Sequence, residues 1–161
     1  MAQGTRGYAH RVDIRTGIEQ VWQSLTEPER LTHWYAPQAR VDAREGGSFW
    51  VRIDGDLMRE AHIDIFQPPR RLRLIYMPLP GSPASDAVMV DDFLLHGEAA
   101  SAGKGAQTVL RLLGSGVPEG REWDALYLRL RGGWEHALLR LKASLEPAAA
   151  AGKKPPPATT R

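Results

Sequence analysis

The 161 residues suit one ordinary domain, 42% hydrophobic and 25% charged, and they include no cysteine, which excludes disulfide scaffolds, thiolate metal sites, iron–sulfur clusters and cysteine nucleophiles. No apolar run approaches the roughly 18 residues of a membrane helix, and Arg6, His10, Arg11 and Asp13 stand where a signal segment would be hydrophobic, so a cytoplasmic protein is expected. A pI near 9.1 points toward nucleic acid, but without Lys153, Lys154 and Arg161 the formal charge of +2 becomes −1, so no nucleic-acid partner is expected.

Tyr8, His10, Val12 and Ile14 alternate with Ala9, Arg11 and Asp13, the period of a strand. Two short helices follow. Thr16 with Glu19 forms a capping-box pattern ahead of the apolar face Ile18, Val21, Trp22 and Leu25; Thr26 with Glu29 repeats it, and Pro28 suits a first helical turn before Leu31 and Trp34. Gln38 to Ala43 reads as extended, Gly46-Gly47 as a turn, and Phe49, Val51 and Ile53 as one face of a strand. Asp54-Gly55 is a hairpin signal, Leu57 to Phe66 the returning strand, and Pro68-Pro69 its close. Arg71 to Met77 follows, with Leu72, Leu74 and Tyr76 on one face. Pro78 to Ser85 is a loop, Ala87 to Leu95 a strand, Gly97 to Gly105 a loop, and Gln107 to Leu113 a last strand that Gly114-Ser115-Gly116 should end.

Glu122 to Leu145 reads as one long helix, because Trp123, Tyr127, Leu130, Trp134, Leu138, Leu141 and Leu145 recur every three or four residues. A helix of about 35 Å with one apolar stripe needs an extended surface to cover it. An antiparallel sheet of six or seven strands supplies one. The expected fold is therefore α+β: a curved antiparallel sheet wrapped around a long C-terminal helix, with two short helices after the first strand. Residues 1–146 form the domain. Residues 147–161, proline-rich and without hydrophobic period, read as a disordered tail.

Some residues do not fit a plain core pattern. Gly132-Gly133 interrupts the long helix, where each glycine costs about 1 kcal/mol against alanine; either helix and strand pack closely there, or the missing side chains leave room for a cavity beside Trp134. Trp34, Tyr35 and Trp50 fall near the expected cavity mouth, as core or as walls for a flat ligand. Glu60, His62 and Asp64 alternate on one strand and are assigned outward, with Ala61, Ile63 and Ile65 inward. Asp91 and Asp92 must face opposite ways, and His10 is the inward polar candidate. No pair among the five histidines has metal-ligand spacing with a carboxylate, and there is neither a nucleophile elbow nor a phosphate-binding glycine loop. Neither metal nor cofactor is expected.

Three segments carry a resemblance. They are Ile18-Glu19-Gln20-Val21-Trp22 through Leu25-Thr26-Glu27-Pro28-Glu29-Arg30-Leu31 to Trp34; Val41-Asp42 through Gly46-Gly47-Ser48-Phe49 with Asp54-Gly55; and Gly133-Trp134 followed by Leu138, Leu141 and Lys142-Ala143. In this order and spacing, over Arg6 to about Glu146, the chain resembles the helix-grip superfamily of the birch-pollen allergen, START domains and polyketide cyclases. The nearest branch is named for the activator of the heat-shock chaperone ATPase. The resemblance implies a deep hydrophobic cavity between helix and sheet. It also implies an inward ligand-binding set of His10, Trp34, Phe49, Val51, Leu74, Tyr76, Leu110, Tyr127, Leu130 and Trp134, with no catalytic set to carry over. The eukaryotic namesake has a large N-terminal domain that contributes to chaperone binding. Only Met1 to Gly7 precede the first strand here, which weakens the case for chaperone activation.

Binding of a small hydrophobic or aromatic molecule in that cavity is the leading expectation. The alternatives are an enzyme acting on an aromatic or polyketide-like substrate, with His10 as the first acid or base to test, and a protein-interaction module with an exposed apolar patch or charged sheet face. A homodimer is compatible with the open sheet edges. Membrane insertion is not expected. High Ala, Gly and Arg usage suggests a bacterial source.

Overall fold

The computed structural model describes residues 4–146; the expected tail at 147–161 lies outside them. The elements are β1 (Thr5–Ile14), α1 (Ile18–Thr26), α2 (Pro28–Trp34), β2 (Gln38–Val41), β3 (Ser48–Asp54), β4 (Leu57–Gln67), β5 (Arg71–Tyr76), β6 (Val90–Glu98), β7 (Gln107–Pro118) and α3 (Arg121–Leu145). The strands make one antiparallel sheet of seven in the order β1-β7-β6-β5-β4-β3-β2. The run from β2 to β7 is a meander, and β1 completes the sheet beside β7. No helix among the described residues is long and apolar enough to cross a membrane.

Period-2 patterning settles which face is covered. Val12, Ile14, Phe49, Val51, Ala61, Ile63, Leu72, Leu74, Phe93, Leu95, Leu110 and Leu112 are buried together. Trp123, Leu130, Trp134, Ala137, Leu138 and Leu141 of α3 join the same core. Glu60, His62 and Asp64 are exposed, as the alternation predicts, but the register shift between Ile63 and Ile65 turns Phe66 toward the core in place of the expected Ile65. On that outer face Asp92 pairs with Arg71 at 2.8 Å, and Trp50 lies beneath the guanidinium of Arg40.

Polar ties hold α3 across the sheet. Arg6 reaches Asp124 at 2.8 Å, the Tyr127 hydroxyl donates to the Gly7 carbonyl at 2.7 Å, and Lys142 donates to the Asp13 carbonyl at 2.6 Å. These run along β1. About half a turn from Tyr127, Arg129 engages Asp54 and Asp56 in the β3–β4 turn. The helix therefore bridges one sheet edge to the hairpin beyond the other side of the core.

Local signals misplace several boundaries. Thr16 does not cap α1: Gly17 is the N-cap, with no side-chain cap bond, while the Thr16 carbonyl accepts from the Thr108 hydroxyl. Thr26 does not cap α2. Its hydroxyl bonds back to the Trp22 carbonyl of its own helix, leaving Glu27 as N-cap with Pro28 next. The loop after β5 extends to Met89, so β6 begins and ends later than expected. Gly114-Ser115-Gly116 does not end β7. The strand continues to Pro118 because β6 pairs it as far as Ser115 and β1 carries the pairing on to Pro118, and the register shift between Arg6 and Tyr8 falls opposite Gly116, whose φ is 85°.

Candidate ligand-binding site

Continuing the alternation of β4 back from Ile63 and Ala61 puts Arg59 on the covered face. It is buried there with Asp91 of β6, their side chains 1% and 0% exposed, and the guanidinium donates to Asp91 Oδ2 at 3.2 Å. Tyr76 of β5 donates its hydroxyl to the same oxygen at 2.8 Å, and Tyr8 of β1 donates to Oδ1 at 2.6 Å. The Arg59 guanidinium also lies 3.6 Å from the centre of the Tyr76 ring. One carboxylate thus gathers a cation and two phenols, the saturation a buried charge requires.

This arrangement depends on a glycine. Tyr8, Gly114 and Asp91 stand opposite one another on β1, β7 and β6. Tyr8 must therefore reach across β7 to meet the carboxylate. A Cβ on Gly114 would overlap the Tyr8 ring, so the missing side chain is the space the phenol occupies.

Burial is the main cause that raises the pKa of Tyr8, followed by the charge of Asp91. Burial likewise pushes Tyr76 up, against the opposing pull of Arg59. Burial works against the charge of Arg59, but Tyr76 and Asp91 outweigh it and hold the guanidinium cationic. At neutral pH the phenols are hydrogen-bond donors and not proton-shuttling acids.

Tyr35, just beyond α2, completes the cluster. It is 8% exposed, and its hydroxyl has no hydrogen-bond partner; the same is true of Arg59 Nε. Burial pushes the Tyr35 hydroxyl up, while the nearby Arg59 charge pulls it down. Its ring stacks on Trp134 at 4.4 Å and 16°, and on Trp34 at 5.4 Å; Phe93 meets Trp134 edge-on at 5.4 Å.

Beside this stack is a half-open pocket of about 210 Å³, lined by Tyr35, Ile53, Leu57, Leu130, Gly133 and Trp134, with Arg129, His136 and Arg140 at α3. A Cβ on Gly132 or Gly133 would meet nothing within 4 Å. Close packing is therefore not why the glycines are there; at Gly133 the absent side chain opens the pocket. A second hollow, about 400 Å³, lies beneath the long loop, between Tyr76, Leu79, Met89 and Trp123. The polar cluster sits between the two hollows, with Tyr35 facing one and Tyr76 the other.

The inward set read from the sequence divides accordingly. Leu130 and Trp134 line the pocket, and Tyr76 lines the second hollow while holding Asp91. Phe49, Val51, Leu74 and Leu110 are core. Trp34 is also core and lines neither hollow, because its indole N–H is fixed on the Ser24 carbonyl at 2.9 Å. Tyr35 takes the place expected of it. Tyr127 is at the α3–β1 seam under Arg6. His10 is half-buried beside the Tyr8 ring, its Nε2 without a partner, and it lines neither hollow. Arg59 is absent from that set, although its place on an apolar strand face was the available signal.

Residues 15–146 match the family model described as Activator of Hsp90 ATPase homolog 1-like protein. The chain belongs to this family. No curated protein matches it. Among solved structures, protein MLL2253 from Mesorhizobium loti is similar at 21% identity and a TM-score of 0.72, covering 88% of this chain and 98% of its own. The Aha1 dimer from Colwellia psychrerythraea gives 22%, 0.70, 88% and 96% on the same measures. DynU16, from the dynemicin biosynthetic locus, gives 20%, 0.66, 88% and 48%. At these identities the likeness shows the fold. Where the resemblance implies one deep cavity, the Tyr35, Trp134 and Phe93 rings pack together in the core, and the pocket at Gly133 and the hollow beneath the long loop lie apart.

Proposed function

We propose that this family member binds a small hydrophobic or aromatic molecule between α3 and the sheet, in the pocket beside Gly133. The observation that carries the reading is the empty space at Gly133 next to a Tyr35–Trp134 stack. Two helix glycines are retained at a cost in helix stability with nothing packed against them, and Tyr35, Ile53, Leu57, Leu130 and Trp134 offer an apolar, partly flat wall opposite a rim of Asp54, Arg129, His136 and Arg140. A cavity of about 150 Å³ accommodates benzene, so the pocket matches one or two fused rings. The origin of DynU16 in a biosynthetic locus is consistent with this reading.

The test is titration of the protein with ethylnaphthalene, following tryptophan fluorescence. Saturable quenching is expected. Gly133→Leu, which adds a side chain at a pocket-lining position where a Cβ meets no neighbour, should weaken binding at least tenfold while the protein remains folded. Undiminished binding in that variant would remove this pocket as the site.

A further inference from the structure

Arg129, Gly133, His136 and Arg140 are spaced four, three and four residues apart, so they form one row along α3. All four line the pocket. Gly133 is the gap in a row that is otherwise basic. Helical side chains lean toward the N-terminus of their helix, so His136 and Arg140, about one and two turns beyond Gly133, lean back toward that gap.

The two arginines are held differently. Arg129 is matched by carboxylates, Asp54 and Asp56 of the β3–β4 turn. Arg140 is held by a neutral group: its Nε donates to the Trp34 carbonyl at 2.9 Å, which fixes the guanidinium next to the residue that precedes Tyr35. Among the described residues no carboxylate pairs with Arg140, and its two terminal amino groups have no partner. Asp54 is the acidic side chain of the lining, and Arg129 already engages it. The rim therefore carries a cation without a counter-charge.

An unpaired arginine on an open surface is ordinary. This one lines an apolar pocket and is tethered, so less side-chain freedom is lost when a ligand meets it. With Nε committed, the two amino groups still present parallel N–H donors, the geometry that suits the two oxygens of a carboxylate. The wall of Tyr35 and Trp134 sets the rest of the molecule.

Resting on the proposed binding function, we infer that the ligand is an aromatic carboxylate, its rings against Tyr35 and Trp134 beside Gly133 and its carboxylate on the amino groups of Arg140.

The experiment titrates the native protein and Arg140→Met with naphthoate, ethylnaphthalene and naphthylmethylammonium, following tryptophan fluorescence. Naphthoate should bind the native protein about tenfold more tightly than the ammonium ion, because the rim selects the sign of charge. Raising salt from about 20 mM to about 500 mM should weaken naphthoate several-fold and should not weaken ethylnaphthalene. In Arg140→Met the ratio of naphthoate to ethylnaphthalene affinity should fall about tenfold. The salt comparison is made on the native protein and stands even if the variant does not fold. Equal binding of naphthoate and the ammonium ion, with no salt dependence, would overturn the inference and leave hydrophobic binding intact. Tighter binding of the ammonium ion would assign the rim to Asp54 and overturn it as well. An undiminished ratio in folded Arg140→Met would overturn the assignment to Arg140. Absence of binding by all three would overturn both the inference and the function it rests on.

Discussion

Gly114 is buried in the sheet and Gly133 is exposed on α3 at the half-open pocket, and the two are used in opposite ways. At Gly114 the missing side chain is replaced by the Tyr8 ring, which crosses β7 to reach Asp91. At Gly133 nothing takes its place, and a pocket remains. One omission lets the Tyr8 ring close the interior around Asp91; the other leaves a pocket open. A glycine in a lining element therefore has no meaning until its neighbours are known.

The comparison can be broken most forcefully at the closed side. Asp91→Ala leaves Arg59 charged, buried and unpaired and strands two phenols, so a loss of about 3–5 kcal/mol is expected in urea denaturation. A loss below 1 kcal/mol would show that the cluster does not hold the fold. Gly114→Ala should cost about 1–3 kcal/mol, because the new methyl overlaps the Tyr8 ring. Tyr8→Phe in the same background should then add little, since the displaced hydroxyl no longer reaches Asp91; full additivity would argue against this account. At the open side the sign reverses. Gly133→Ala should raise stability by about 1 kcal/mol through helix propensity alone, and a fall in melting temperature would mean that the space at Gly133 is needed for folding.

The smallest effect is a pH dependence at the end of α3. Burial pushes the Glu146 carboxyl up, but the Arg15 backbone N–H at 2.6 Å and Lys142 at 3.1 Å outweigh it, and its pKa lies below the usual range. A carboxyl lowered in the folded state contributes stability above its unfolded pKa, and that contribution is lost as pH falls through the folded value. Melting temperatures should therefore drop more steeply below about pH 4.5 in the native protein than in Glu146→Gln. Parallel curves would discount the clamp. Other lowered carboxyls, such as Asp13 and Asp54, are present in both proteins and cancel.

Much of this fold was legible because burial writes a period into the chain. The strand faces of β3, β5 and β7, the outward Glu60-His62-Asp64 row and the α3 stripe all follow from alternation or helical spacing. Cap patterns were less faithful. Thr16 and Thr26 have the right neighbours, but each has a competing use, Thr26 in its hydroxyl's bond to Trp22 and Thr16 in its carbonyl's bond with Thr108. The candidate site was legible in part. Tyr35, Leu130 and Trp134 were reachable from aromatic placement and stripe, and the need for Asp91 and Asp92 to face apart was evident, though not which one was inside.

By itself the sequence determined the element types, the α+β class, the covered faces and the family, since each depends on local spacing or on motifs in order. Only the tertiary structure decided that Arg59, Tyr8, Tyr76 and Asp91, from four different strands, share one ion-paired cluster, that a side chain at Gly114 would displace Tyr8, and that Gly133 lines a half-open pocket. These are distances between residues far apart in the chain. Strand order and register set them, and neither leaves a mark on the local pattern of any one segment.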